Sequence, residues 1–347
     1  MYIHPTEKHE LFGDDSLYRR TTGFQGDLAF DVKVSKENPP NVLVIAVESF
    51  RYQDSRYLVG EEDPSNLFKG TNMTITPNFD RWAKRGVALR NMWSSTPTSR
   101  SLESLLFAQV PYDSTVKTGI TGGRKGEKHS AMVKNYLEMR YFTDMQLGEF
   151  MDRMEKEGIL NDTIVVIIGD HGQAPEADVT NTHEESVTRV AGAIIAQGRL
   201  GDAAGLIIED AVERYDILNT LADITGLPEG GFVQSGVGRS LKRKVPFGER
   251  VVYSNDPSRK MAIVRGHHRL RYDQVTASMT LHDTETDHAM NIDLLPKLPP
   301  KRRLNGNSGA SMAAVLPRTS SSAWTATACW RSIVLQRASW AGSKSFT

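Results

Sequence analysis

The feature that most restricts the fold is a pair of short, unbroken apolar runs rich in β-branched residues, VLVIAV at 42–47 and IVVII at 164–168. Each is too short for a helix. Without polar alternation, each reads as a strand buried on both faces of a parallel sheet. Parallel strands need a crossover. Between the runs, from about 132 to 158, Val133, Tyr136, Leu137, Phe142, Met145, Phe150 and Met154 recur at helical spacing, with Gly158 as the stop. Thr76-Pro77 followed by Phe79, Trp82, Ala83 and Gly86 predicts a short helix with Thr76 as its N-cap. A weaker strand is expected at 190–196 and another helix at 216–225, closed by Gly226 and Pro228. Strands alternating with helices predict an α/β architecture, a mostly parallel central sheet flanked by helices. Past residue 250 the pattern changes to short strands at about 251–254, 260–265, 268–273 and 278–283, which predicts a small antiparallel sheet. The chain thus divides into an irregular segment at 1–40, an α/β domain at 41–245, an antiparallel subdomain at 246–293 and a tail at 294–347.

Charge separates the tail from the rest. The totals balance at 42 basic and 42 acidic residues, so nothing in them points to a nucleic-acid partner. Asp293 is the last acidic residue, however, so residues 1–293 carry a net −8 and the tail +8. From about Leu298 the chain holds nine Ser and three of its five Trp, with no helical or strand period. That composition predicts a disordered or non-native C-terminus, and a basic interaction tail is the alternative. The only cysteine, Cys329, lies there, which excludes an internal disulfide, Cys-ligated zinc or a cysteine nucleophile in residues 1–293. No apolar run approaches the ~18–20 residues of a membrane span. The first twenty residues lack a secretion-signal pattern.

Three features fall just past the ends of predicted strands, where an open α/β sheet places its ligands. Glu48 follows VLVIAV directly, as a hard oxygen ligand or as a solvated loop acid. Gly169-Asp170-His171-Gly172 follows IVVII, either as two adjacent ligands in a loop whose glycines allow close approach to a metal, or as a turn. Thr96-Pro97-Thr98-Ser99-Arg100-Ser101 precedes Leu102, Leu105 and Leu106 at helical spacing, so its hydroxyls sit at a helix N-terminus. Such a terminus can hold an anion, or the segment is a capping box with Glu103.

The order of these motifs resembles the alkaline phosphatase and sulfatase superfamily: strand then Glu48-Ser49, TPNFDRWAKRGVALRNMW, the Thr-Ser-Arg-Ser segment, and DTIVVIIGDHG. The likeness continues through Glu185-Ser186-Val187-Thr188-Arg189-Val190, the helix at 216–220, and Leu281-His282-Asp283 near Asp287, covering about 41–293. Within the superfamily the sequence looks like the branch of lipoteichoic acid synthase and phosphoglycerol transferases. Sulfatases carry a Cys or Ser nucleophile that becomes formylglycine, and usually paired aspartates after the first strand. Here those places hold Thr98 and Glu48-Ser49. The resemblance implies transfer through a phosphothreonine on Thr98, with Thr96 as a second candidate. It implies a divalent ion on Glu48, Thr98, Asp170 and His171, manganese or magnesium ahead of zinc or calcium. His183 falls where the branch puts a substrate-side histidine, and Arg100 is read as a phosphoryl contact or a structural ion pair. Arg189 is read as a brace for the Glu185 turn. Substrates implied are phosphorylated or sulfated small molecules, lipids or glycans. The location implied is the extracytoplasmic or periplasmic face of the membrane, with an anchor upstream of Met1.

One departure bears on activity. Only 72 positions separate Thr98 from Asp170, and the long helix takes about 27 of them. Family members have a much longer segment here that grips the head group. What remains at 112–131 is glycine-rich and basic, with Lys117, Arg124, Lys125, Lys128 and His129. Three readings follow: an active phosphoryl or phosphoglycerol transferase or phosphoester hydrolase, a sulfatase-like hydrolase, and an inactive shortened remnant.

Overall fold

The computed structural model describes residues 9–12, 17–20, 26–35, 37–66, 68–111, 129–175, 184–226, 232–234, 237–256, 260–273 and 276–298. The residues read as irregular at the start of the chain contain strands β1 (His9–Phe12) and β2 (Leu17–Arg20), an antiparallel pair. Next come β3 (Asn41–Val47), α1 (Arg56–Val59), α2 (Pro77–Ala83), β4 (Val87–Leu89), β5 (Met92–Trp93), α3 (Thr98–Phe107) and α4 (His129–Lys156). The middle of the chain holds β6 (Thr163–Gly169), α5 (Glu184–Thr188), β7 (Arg189–Val190), β8 (Gly192–Ile195), β9 (Ile207–Ile208), β10 (Val212–Glu213) and α6 (Tyr215–Thr225). Strand β11 (Phe232–Gln234) returns to pair with β2. Strands β12 (Val251–Asp256), β13 (Lys260–Arg265), β14 (His268–Asp273) and β15 (Ser278–Asp283) form the expected antiparallel sheet as a meander.

The central sheet has the order β3-β6-β8-β4-β9. Four strands share one direction and β8 runs against them, so the sheet is mixed. Strand β6 is buried throughout and its side chains alternate between two cores. Ile164, Val166 and Ile168 pack with Leu105 of α3 and with Ile217 and Ile224 of α6. Val165 and Ile167 pack with Phe79 and Trp82 of α2 and with Met151 and Met154 of α4. Helices therefore cover both faces, the three-layer arrangement that a continuous apolar strand demands.

Strand β3 departs from expectation. It lies at the edge of the sheet and is partly exposed, with Val42 at 42%. Its apolar run reflects two faces that are only part covered, which composition cannot distinguish from full burial. The strand expected at 190–196 is two strands in different sheets, since β7 joins β5 and β10 while β8 joins the central sheet. Strands β4, β5, β9 and β10 were not anticipated, because two or three residues are too few to show a period. Thr76 stands before α2 but does not cap it; its hydroxyl donates to the Asp54 carbonyl. The capping acceptor is Asp144 of α4, whose carboxylate takes the backbone N–H groups of Asn78 and Phe79, each at 2.8 Å. These are donors that a helix start leaves open.

Candidate active site

Pairing between β3 and β6 sets the site. The strands run parallel in register from Asn41 opposite Thr163 to Val47 opposite Gly169. The next residues on each strand are Glu48 and Asp170, brought side by side by the ladder. Oxygen atoms of Glu48 and Asp170 and a ring nitrogen of His171 all lie within 4.8 Å of one another. Thr98, the first residue of α3, joins them from a different part of the chain. Its Oγ1 lies 3.0 Å from His171 Nε2 and 3.4 Å from Glu48 Oε2. Thr98 is thus the hydroxyl of the 96–101 segment that reaches the cluster.

Neighbouring hydrogen bonds orient each ligand-type atom. His171 Nδ1 lies 2.7 Å from the Gly172 carbonyl, which assigns the ring proton to Nδ1 and turns the Nε2 lone pair toward Thr98, Glu48 and Asp170. Asp170 Oδ1 accepts the backbone N–H groups of Ser49 at 2.8 Å and of His171 at 2.7 Å. Asp170 Oδ2 is buried and accepts no hydrogen bond from the described residues. It lies 3.5 Å from His171 Nε2. A buried carboxylate oxygen left without a donor is costly, and a cation removes that cost. Two carboxylates, a hydroxyl and one oriented imidazole form a donor set that fits a divalent ion with a preference for oxygen. The side chain of Glu48 is 67% exposed, so the cluster opens to solvent on that side.

The glycines of Gly169-Asp170-His171-Gly172 serve a purpose other than the expected approach to a metal. A Cβ on Gly169 would run into the Phe50 carbonyl, and one on Gly172 into the Ser186 carbonyl. They let two neighbouring backbone segments close on the loop. Sequence reading also missed Ser94, whose hydroxyl donates to the Asp170 carbonyl, and the α4 residues Tyr136 and Arg140, which bind the loop that carries Glu48. No motif marks them, because their partners are backbone carbonyls far away in sequence.

The remaining candidates separate. Arg100 stands outside the cluster and pairs with Glu103 at 2.7 Å, the ion-pair alternative. Arg189 bonds Glu185 at 2.8 Å, as the brace reading expects. His183, Lys117, Arg124, Lys125, Lys128 and the tail from 299 lie outside the described residues, as does the side chain of His129. Among the described residues no helix is long and apolar enough to cross a membrane.

Comparison with known proteins gives a consistent outline. The sulfatase family model matches residues 40–133 and 107–226, together more than half of the chain. The two matches overlap at 107–133, where the family's longer segment was expected to be missing. No curated protein matches the chain in sequence. Among solved structures, one from Bacteroides thetaiotaomicron, described in work on the metabolism of multiple glycosaminoglycans, is 13% identical with a TM-score of 0.55, covering 80% of this chain and 96% of that one. An alkaline phosphatase superfamily protein from Vibrio parahaemolyticus is 13% identical with a TM-score of 0.51, covering 80% and 90%. The lipoteichoic acid synthase LtaP from Listeria monocytogenes is 12% identical with a TM-score of 0.47, covering 76% and 92%. At such identities the first two show likeness of fold.

Proposed function

This chain belongs to the sulfatase family, and from that premise we propose that it is a metal-dependent transferase or hydrolase of phosphate esters that works through Thr98. The observation that carries the reading is the position of Thr98 Oγ1, at the first residue of α3 and 3.0 Å from His171 Nε2. A threonine cannot become formylglycine, so the route of true sulfatases is closed to it and direct attack by the hydroxyl is the consistent chemistry.

In this reading Glu48, Asp170, His171 and Thr98 hold a divalent ion, manganese or magnesium ahead of zinc or calcium. When bound, the ion lowers the pKa of the hydroxyl and offsets charge on the phosphoryl oxygens. Thr98 Oγ1 forms a bond to phosphorus as the bond from phosphorus to the leaving oxygen breaks. Water or an acceptor alcohol then attacks phosphorus and frees the threonine. Glu48, exposed and 3.4 Å from the hydroxyl, offers its proton a short path to solvent. His183 is assigned the proton that the leaving oxygen needs. Arg100 would have to give up Glu103 to meet a phosphoryl oxygen. The substrate class is a phosphorylated lipid or glycan, handled on the extracytoplasmic side of a membrane; the resemblance of the motifs supports that placement.

The test is release of nitrophenol from matched phosphate monoester, phosphodiester and sulfate ester substrates with added manganese. Phosphoester turnover is expected, and Thr98→Ala is expected to lower it about 10³-fold or more. Sulfate ester turnover in place of phosphoester turnover would favour the sulfatase-like alternative. No turnover of any ester by a folded, manganese-loaded protein would favour an inactive remnant whose shortened middle has removed function.

A further inference from the structure

We propose that Arg140 and Tyr136, on α4, are positioning residues that fix the Glu48–Ser49 corner so that Glu48 meets Asp170 and His171. The inference rests on the metal-site reading above. Glu48 follows an edge strand and its side chain is largely exposed. Its own packing therefore does little to hold it, and the backbone must.

The corner is bound from two sides. Toward the sheet, the Ser49 N–H donates to Asp170 Oδ1 at 2.8 Å. Toward α4, one nitrogen of Arg140, Nη2, donates to the carbonyls of Glu48 at 2.7 Å and of Ser49 at 2.6 Å. Tyr136 Oη lies 2.7 Å from the same Ser49 carbonyl and also meets Asp54 Oδ2; its single proton can serve one of them at a time. Ser49 itself has φ 56°, a left-handed conformation that a residue with a Cβ adopts at a cost when its surroundings impose it.

The anchors are themselves fixed. Arg140 is 6% exposed, stacks over the Phe50 ring at 4.8 Å, and lies 3.5 Å from the Asp54 carboxylate. Asp54 is fully buried and also pairs with Arg51 at 2.8 Å. Arg51 in turn stacks over Tyr136 at 4.3 Å and reaches the Gln173 carbonyl, in the loop that follows Asp170 and His171. One buried network on α4 and the 51–54 turn thus touches both segments that carry ligands. A guanidinium suits this task because it presents several donors in a rigid plane, whereas an ammonium is a single point.

The measurement is manganese binding to the full chain by titration calorimetry, with the melting temperature of the metal-free protein recorded for every variant. Glu48→Gln should remove binding and so establishes which site is titrated. Arg140→Met should weaken binding by about 10- to 100-fold, the usual effect of losing a partner behind a metal ligand. Arg140→Lys should recover part of that loss, and Tyr136→Phe should cost less because Arg140 still holds the Ser49 carbonyl. Should Arg140→Met fail to fold, Arg140→Lys and Tyr136→Phe decide the matter alone. Variants that melt lower but bind manganese like the wild type would overturn the positioning role while leaving the metal site standing. If the wild type does not bind manganese, or Glu48→Gln binds as well, the metal-site reading fails and this inference with it.

Discussion

At the scale of single residues, the site depends on atoms that no motif displays. Asp170 gives one oxygen to two backbone N–H groups and keeps the other without a donor. The residue type was legible; that division of labour was not, because it depends on where Ser49 points. Gly172 makes the same case. Its reading as room for a metal failed, since the space is taken by the Ser186 carbonyl. Gly172→Ala must therefore displace α5 or the ligand loop, and we expect it to lower the melting temperature and to weaken manganese binding together. A protein that melts and binds like the wild type would show that the loop can give way without moving His171.

At the scale of elements, α4 does more than cross between parallel strands. Its inner face buries Met151 and Met154 against the sheet, Asp144 caps α2, and Arg140 and Tyr136 reach the 48–51 corner. The helical period announced the helix and its stop at Gly158, where φ is 74°. It did not announce the cap, since Asp144 looks like any polar residue on an amphipathic helix and finds its partners 65 and 66 positions away. Asp144→Ala leaves two first-turn donors of α2 open, and should cost about 1–2 kcal/mol. Urea denaturation would detect this as a lower midpoint with unchanged slope; an unchanged midpoint would mean that water replaces the carboxylate at no cost. Strand β3 teaches a related lesson, because a run of apolar residues announces a strand without saying whether it is central or at the edge.

At the scale of the whole molecule, His288 ties the segment after β15 to the rest of the chain, at Asp63 and Glu185. Its ring lies 3.1 Å from Asp63 and 3.1 Å from Glu185. Burial disfavours its charge, but hydrogen bonds to these two carboxylates outweigh that and raise its pKa from 6.5 to about 10. The imidazolium therefore adds stability that is complete below pH 6.5 and is lost as pH rises toward about 10. Glu285 has the opposite sign. Burial would raise it, but His267 and Arg189 bring it down to about 2, so its contribution is lost as pH falls below the usual glutamate range. Burial raises Asp80 to about 6 and Glu213 to about 7, which lowers stability as pH climbs through those values. The melting temperature should peak at about pH 4–4.5, where the gain from Glu285 gives way to the losses from Asp80 and Glu213, and fall on both sides. His288→Gln should flatten the part of the alkaline decline that lies between 6.5 and 10. A curve of unchanged shape in that variant would refute the clamp. By itself, the sequence determined the alternation of strands and helices and the residue types of the candidate site, because both are local: period, run length, and acids or hydroxyls next to strand ends. Only the tertiary structure decided which hydroxyl meets Glu48 and His171, what caps α2 and what holds the Glu48 corner, because those contacts join residues 50 or more positions apart, the last two through backbone groups that every residue carries.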